Sequence, residues 1–467
     1  MPRIGFAYNQ KPESPTTQRP DDEAVRGDDE PPSSRRDALA SRNSDAPAST
    51  EIAHSVTVGG SFATPAHSAG SNGTRSHTSA SNGHPPNGAA SNGHRSSTAA
   101  TNGAQSNTPA AADDEFAEWD SADTIDAVAN ALSALGDVIR LEANTDFPQN
   151  LRDSRVDIIF NIAEGLHGVN REAHVPAICE FYGIPYSASD PFTLSLCLDK
   201  AKTKEMLAYH GVPTARFAVV RGTGDWGLGT RQRKFSRDGA SRSNGNVPAE
   251  SLVASPESPL FVKPIHEGSS KGITEANYCE TPEQLRAQVE FLLEHYQQPV
   301  LIEEYLPGAE FTCAVLGNGD EARVLPIVGM NFEALPHGAL PVYGFEAKWI
   351  WDRPEKPLEI FECPARITEE LRRTIEDVVL RAYRVLGCRD WSRIDVRLDA
   401  SGKPNVVEVN PLPGILPNPA DNSCFPKAAR AAGMSYDELI QAGLVHAAER
   451  QGIDLGVTAG ALTAAAR

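Results

Sequence analysis

Apolar residues crowd into the opening segment RIGFAYN (Arg3–Asn9), a run that reads as a short buried strand. The pattern then stops. From Lys11 to about Asp113 the chain is Pro, Ser, Thr, Asn, Gly and Ala, a composition with too little apolar surface to make a core. Asn-Gly recurs there at Asn72, Asn82, Asn92 and Asn102. These units lack the apolar side chains that stacked repeats need, so the segment reads as a disordered, low-complexity insert. A flexible chain of this length spans on the order of 50–60 Å, enough to leave the first strand and return to the same domain. Order resumes in SADTIDAVANALSALG, where Ile125, Val128, Ala129 and Leu132 repeat at helical spacing, with Asp123 as the expected N-cap and Gly136 ending the run. The strands VIRL and RVDIIFNIAEG, the helix AHVPAICEFYG closed by Gly183, and the strand IPYSAS follow. This alternation predicts a parallel sheet with helices on both faces.

A second region begins near Pro191. SLCLDKAKTKEMLAYHG is expected to be one helix ending at Gly211, and ARFAVV a strand. Residues 221–259 are polar and locally basic, the composition of a solvated loop. Beyond them PLFVKP, PVLIEEYL, EFTCAVLG, VLPIVGM, SRIDVRLD and PNVVEVN read as strands. TPEQLRAQVEFLLEHY, TEELRRTIEDVVLRAYRVLG and SYDELIQAGLVHAAERQG read as helices, and the final VTAGALTAAAR as a frayed tail. The expected division is an N-terminal α/β domain (1–10 and 114–190) interrupted by the insert (11–113), a central subdomain (191–305), a C-terminal subdomain (306–450) and a tail (451–467).

Charge narrows the classes of partner. The chain of 467 residues carries a formal net charge of −19, which argues against a nucleic-acid or anionic-membrane surface. Its seven cysteines are scattered and never form a C-x-x-C pair, as expected of reduced thiols in a cytoplasmic protein. No segment is apolar for the roughly 18 residues that a membrane-spanning helix needs, so neither export nor membrane insertion is expected.

Candidate chemistry begins at FVKPIHEGSSKG. Lys263 ends an apolar strand and can set an ammonium beside a phosphate. Gly268 and Gly272 free the backbone to wrap an anion, and Ser269 and Ser270 add hydroxyl donors. A plain surface turn has the same composition, and neither the P-loop nor the dinucleotide pattern is present. In SRIDVRLDASGKPNVVEVN, two strands flank a turn. Side chains alternate, so Glu408 and Asn410 share one face, Val407 and Val409 the core face, and Arg393 and Asp395 pair up likewise on the preceding strand. Such a hairpin gathers Asp395, Glu408 and Asn410, hard oxygen ligands suited to a Mg²⁺ shared with substrate phosphates.

These segments, taken with LDKAKTK, VLIEEYLPGAEFT, FEAKW, VVEVNPLPG and NSCFPKAARAAG, resemble in order and spacing the ATP-grasp enzymes, and among them most closely the D-alanine–D-alanine ligases, over residues 156–450 apart from 221–259. The resemblance implies an ATP-grasp fold preceded by a parallel-sheet domain, with ATP and Mg²⁺ (or Mn²⁺) as cofactors. Amino acids or dipeptides would be the substrates, and a homodimer is compatible with it. It implies that Lys200 and Lys263 hold ATP phosphates, with Ser269, Ser270 and Gly272 in a mobile phosphate loop and Lys348 reaching the γ-phosphate. Glu303, Glu304, Tyr305 and Leu306 fall on the adenine-contacting segment and Glu310 on the ribose-binding acid. Asp395, Glu408 and Asn410 match the metal ligands, Arg393 and Gly414 the oxyanion donors, and Ser423 the serine that holds the second substrate's carboxylate.

The match departs from the family around the amino acids. The Gly-rich segment with a substrate-orienting Glu, usual after the first strand, has no counterpart in GFAYNQKPESPTT. NIAEGLHGVNREAHVP replaces the usual Leu-His-Gly and Gly-Glu-Asp-Gly signature, which leaves Glu164, Arg171 and Glu172 as candidate substrate-binding residues with different chemistry. Trp349 stands where a loop-closing Tyr is usual, and PGILPNPADNSCFP is longer. Peptidoglycan precursor synthesis, with D-alanyl-D-alanine or a similar dipeptide as product, is the function implied. A ligase for another amino acid or peptide and a non-catalytic nucleotide-binding module are the alternatives.

Overall fold

The computed structural model describes residues 1–12, 116, 118–222, 259–352 (without the Trp349 side chain) and 357–464. Apart from Lys11 and Pro12, the expected disordered insert lies outside the described residues, as does most of the polar stretch at 221–259.

Strands β1 (Arg3–Tyr8), β2 (Asp137–Glu142) and β3 (Ile158–Asn161) form a parallel sheet in the order β2-β1-β3. Between them in sequence come helices α1 (Ala122–Ser133) and α2 (Phe147–Ser154), and α3 (His174–Tyr182) follows β3. A parallel sheet must be covered on both faces, and alternation along β1 does this. Ile4 and Phe6 pack with Ile125, Val128 and Leu132 of α1, while Ala7 packs on the other side with Phe147, Leu151 and Cys179. Gly5 sits where a Cβ would lie 2.2 Å from the Ile159 side chain, so the central strand can approach β3 only without one.

Three local expectations change here. Ser121, not Asp123, caps α1, its hydroxyl accepting from the Thr124 N–H. The α2 helix, started by Pro148 in its first turn, was not foreseen. IPYSAS contributes a single bridge, Ile159 to Tyr186, in place of a strand.

The segment expected as one helix is two, α4 (Pro191–Leu198) and α5 (Lys200–Tyr209). Asp199 breaks it with extended backbone and caps α5 by accepting from the Lys202 N–H. The break places Lys200 at the first position of α5, where its N–H donates to the Ile265 carbonyl at 3.3 Å. Strands β4 (Phe217–Val220), β5 (Leu260–Pro264), β6 (Tyr278–Cys279) and β7 (Val300–Glu304) make an antiparallel sheet in the order β4-β7-β5-β6. It is backed by α6 (Pro282–Tyr296) through Leu285, Val289 and Leu292.

A second antiparallel sheet runs β11-β10-β8-β12-β13, with β9 paired to β8. Its strands are β8 (Glu310–Leu316), β9 (Arg323–Val324), β10 (Val328–Met330), β11 (Phe361–Glu362), β12 (Trp391–Leu398) and β13 (Pro404–Asn410). VLPIVGM is thus split into two short strands around Pro326, which has no N–H to give a ladder. Helix α7 (Glu369–Leu386) backs this sheet through Ile375, Val379 and Ala382. Helices α8 (Cys424–Ala431) and α9 (Tyr436–Gln451) follow. In place of a frayed tail, α10 (Ala459–Ala464) begins at a buried Ala459, and Leu462 packs against the core.

Two contacts tie the parallel sheet to the larger antiparallel one. Trp391 of β12 stands edge-on to Phe160 of β3 at 5.3 Å and to Phe425 of α8 at 5.8 Å. Asp390 is fully buried and accepts from the Ala188 N–H (2.9 Å), the Asn318 amide (2.9 Å) and the Arg450 guanidinium (2.9 Å). Among the described residues no helix is long and apolar enough to cross a membrane.

Candidate active site

The two antiparallel sheets face each other across a cleft lined by Lys200, Lys263, Glu303, Leu306, Glu310 and Glu408, among others. Lys263 is carried there by β5 and pairs with Glu303 of β7 at 2.7 Å, while Lys204 reaches the other oxygen of Glu303 at 2.9 Å. Burial opposes the charge on Glu303, but the two ammoniums hold it at about 2. Glu304, Tyr305 and Leu306 continue along the same wall, Glu304 bonding Arg216 at 3.1 Å. Glu310 begins β8 and receives Arg397 at 2.8 Å. Arg397 also donates to the Tyr305 hydroxyl (2.8 Å) and lies 4.9 Å over that ring. Sequence reasoning passed over Arg397, although the alternation that pairs Arg393 with Asp395 puts Arg397 on the same face.

The Gly-Ser loop divides its residues between two roles. Ser269 and Ser270 both have positive φ (50° and 62°), rare for residues with a Cβ, and the Ser270 hydroxyl donates to the Tyr343 carbonyl at 3.1 Å. Ser270 lines the cleft, and Ser269 with Ser270 lines the neighbouring cavity. Gly272 lines neither. A Cβ there would lie 2.7 Å from Pro264 and 3.0 Å from Tyr296, so its place is in packing the loop onto β5 and α6.

The hairpin β12–β13 sets Asp395 directly opposite Glu408 and Arg393 opposite Asn410. A bulge follows Asp395, so that Val396 pairs with Val406 and Val407 is the extra residue. Val407 therefore faces the cleft, where simple alternation had placed it in the core; Val409 is buried as expected. Glu408 pairs with Lys200 at 2.8 Å, and the Lys200 ammonium also donates to the Glu267 carbonyl at 2.5 Å. Against the cost of burial, Lys200, Lys263 and Arg393 hold Glu408 at about 2. Asp395 accepts from Thr312 (3.0 Å) and Arg393 (3.1 Å). Burial, and then the facing Glu408 charge set against Arg393, leaves it above the usual carboxylate value. Among the described residues no three His, Cys, Asp or Glu side chains gather as a metal cage. Two opposed carboxylates with Asn410 beside them instead fit a hard cation that takes its remaining oxygens from elsewhere, as Mg²⁺ does.

A second cavity of about 330 Å³ adjoins the cleft and shares Lys200, Ser270, Glu310, Tyr343 and Glu408 with it. Its walls include Lys348, Arg393, Asp395, Asn410, Gly414 and Ser423. Lys348 sits on a π-helical turn (Glu346–Trp351), and burial, then Arg393, lowers its ammonium to about 8. The Ser423 hydroxyl accepts from the Leu416 N–H and donates to the Gly414 carbonyl, both at 3.2 Å. Of the three residues singled out in NIAEGLHGVNREAHVP, Glu164 and Glu172 line this cavity. Arg171 does not: its guanidinium bonds Glu118 (2.8 Å) and the His266 carbonyl (3.0 Å), bracing the wall from behind.

Glu118 and Asp120 are site residues that the sequence reading missed. Among the described residues directly after β1 no acid fills this region, yet residues beyond the insert are brought back to it. The Lys11 N–H donates to the Asp120 carbonyl (2.9 Å) and the Asp120 N–H to the Asn9 carbonyl (3.0 Å). The available signal was position: FAEWD stands immediately ahead of the α1 cap, on the side that must return to β1.

Comparison with known proteins agrees with this architecture. Residues 225–445 match the family model described as D-ala D-ala ligase C-terminus. The chain is 34% identical over 316 residues to a D-alanine–D-alanine ligase of Actinobacillus pleuropneumoniae, covering 68% of this chain and 89% of that protein. It is 35% identical to an uncharacterized protein, y4sG, of Sinorhizobium fredii, over 64% of this chain and 77% of that one. The crystal structure of a D-alanine–D-alanine ligase from Bacillus anthracis superposes with a TM-score of 0.51 at 22% identity, covering 70% of this chain and 94% of that chain. The VanG D-Ala:D-Ser ligase of Enterococcus faecalis does so at 0.51 and 21%, covering 70% and 95%. At these identities the structural likeness establishes the fold alone.

Proposed function

The chain belongs to the D-alanine–D-alanine ligase family of ATP-grasp enzymes, and from that membership we propose that it joins two amino acids into a dipeptide, D-alanyl-D-alanine or a close analogue, at the expense of ATP. The setting proposed is peptidoglycan precursor synthesis in the cytoplasm. The observation that carries this reading is the junction of the two cavities, where Lys200 of α5 meets Glu408, Asp395 and Arg393 of the β12–β13 hairpin. The residue ranges for N-terminal, central and C-terminal parts given by the sequence are proposed as its domains.

The adenine end of ATP would lie along Glu303–Leu306, its ribose by Glu310 and its phosphates between Lys200, Lys263 and the Ser269–Ser270 loop. A carboxylate is a poor electrophile. Its oxygen therefore attacks the γ-phosphorus and ADP departs, leaving an acyl phosphate. The second amino acid's amine then attacks the carbonyl carbon, and inorganic phosphate leaves as the amide forms. Lys200, Lys263 and Lys348 would offset the charge that develops on the phosphoryl oxygens. Asp395, Glu408 and Asn410 would hold Mg²⁺, which supplies further neutralisation there when bound. Arg393 and the Gly414 amide would meet the tetrahedral oxyanion, a contribution typically worth about 2.7–4 kcal/mol. Ser423 would orient the second carboxylate.

The test is to incubate the full chain with ATP, Mg²⁺ and single or paired D- and L-amino acids while measuring phosphate release and product mass. D-Ala-D-Ala formation supports the reading. Another dipeptide moves the assignment to a sister ligase, which the altered Glu164–Glu172 segment favours. Tight ATP binding with no turnover on any pair would leave only a nucleotide-binding module.

Lys348 gives this reading a pH signature. With its ammonium lowered to about 8, the group is charged below that pH and neutral above it. The kcat/KM for ATP, which reports the free enzyme, should therefore fall as pH rises through about 8. Lys348→Arg should shift that limb upward; a wild-type profile flat through this range would remove Lys348 from phosphate neutralisation.

A further inference from the structure

A single guanidinium joins three parts of the cleft proposed for the nucleotide. β12 carries Arg397 directly opposite Glu310 of β8, and one terminal nitrogen donates to the Glu310 Oε2 at 2.8 Å. The other donates to the hydroxyl of Tyr305, just past β7, at 2.8 Å and to the Pro341 carbonyl at 2.9 Å. Pro341 leads into a segment that also borders the cleft: Val342 and Tyr343 line it, and the Tyr343 carbonyl takes the Ser270 hydroxyl at 3.1 Å. The guanidinium lies over the rings of Tyr305 at 4.9 Å and Phe332 at 5.5 Å, and Arg397 is only 6% exposed. Three acceptors and two rings leave such a planar fork little freedom to move. Glu310 is the group that this arrangement controls. Both side chains line the cleft, and Arg397 takes one carboxylate oxygen of Glu310. Burial favours the protonated acid, and the Arg397 charge is the largest influence opposing it. The distinction matters for recognition, because an ionised carboxylate accepts at both oxygens.

We infer that Arg397 is the positioning residue for ribose recognition: it fixes Glu310 through Oε2, so that Oε1 is kept for the sugar hydroxyls, and sets that acid in place against Tyr305 and the Pro341–Tyr343 segment. Arg397 acts through Glu310 and not on the reacting groups. The inference rests on the nucleotide site of the proposed function. It goes beyond that reading in naming the residue that makes Glu310 selective for a ribose.

Titration calorimetry of the full chain with Mg²⁺ and no amino acid can compare ATP with 2′,3′-dideoxy-ATP, which differ only in the sugar hydroxyls. Wild type should bind ATP at least about tenfold more tightly, the range of hydrogen bonds to a charged acceptor. Arg397→Met, close in length but uncharged, should move that ratio most of the way to one. Arg397→Lys keeps the charge but cannot meet three acceptors from one plane, so its ratio should fall in between. A substitution that merely loosens the fold weakens both nucleotides alike and leaves the ratio unchanged, so the ratio separates positioning from structural support. Melting temperature is recorded beside it. A wild-type ratio near one overturns the inference, as does a wild-type ratio retained by folded Arg397→Met or, should that variant not fold, by Arg397→Lys. Either result leaves the ligase reading standing. Wild-type protein that binds neither nucleotide removes the ligase reading, and this inference with it.

Discussion

Glu408→Gln should lower turnover by on the order of 10³-fold while the protein stays folded, because about 4 kcal/mol of transition-state stabilisation is within what a bound cation and its ligand supply. The expectation follows from how β13 presents this residue. Glu408 lies directly opposite Asp395, on the wall shared by the two cavities, and is bonded to Lys200 at 2.8 Å. Three cations keep it ionised at any working pH despite its burial. Glutamine keeps the shape of the side chain but offers a neutral oxygen. One carboxylate then remains to hold a divalent ion, and Lys200 is left with the Glu267 carbonyl as its polar partner. Burst-phase measurement of ADP with saturating amino acids, beside a thermal melt, separates loss of chemistry from loss of fold. Turnover close to wild type with an unchanged melt would mean that the metal lies elsewhere.

Much of this site was legible because β-strands alternate. The positions of Arg393, Asp395, Glu408 and Asn410 follow from period-two patterning in their strands, and that of Lys263 from its place at the end of an apolar run. Alternation failed at Val407, since a bulge adds one residue to β13 and reverses the face without changing composition. The split between α4 and α5 was hidden because Asp199 leaves the apolar repeat intact and acts through its cap. Glu118 and Asp120 were out of reach for a different reason. Their place depends on backbone bonds to Asn9 and Lys11, partners more than a hundred residues away across an insert with no pattern of its own. Arg171 shows the limit of reading side chains from spacing. Sequence puts it beside Glu172, and only the return of Glu118 decides that it faces the wall and not the cavity.

The largest stability effect should come from Glu303→Gln, which is expected to cost about 3–5 kcal/mol, the usual result of removing one member of a buried ionic cluster. Glu303 is 6% exposed and Lys204 2% exposed, so solvent screens this cluster very little. Removing the carboxylate leaves two ammoniums close together. Lys204 retains the Thr214 hydroxyl at 2.7 Å, but its ammonium is already below its usual value because burial outweighs the attraction of Glu303. Lys263 is held above its usual value, Glu303 and Glu408 together outweighing its burial. The sign of the pH dependence follows from the carboxylate. Its value falls from an ordinary 4.5 to about 2 on folding, so its contribution is complete above the unfolded value and is lost as pH drops from there toward about 2. Urea unfolding across that window should show wild type losing stability more steeply than Glu303→Gln, with the gap between them closing at the acid end, where a protonated Glu303 resembles the amide. A gap that stays constant into acid would mean that shape, not charge, makes this residue matter. In that case Lys263 would reach the cleft proposed for the nucleotide without Glu303 to hold it, and ATP affinity should survive the substitution; the ionic account requires that affinity to fall with stability.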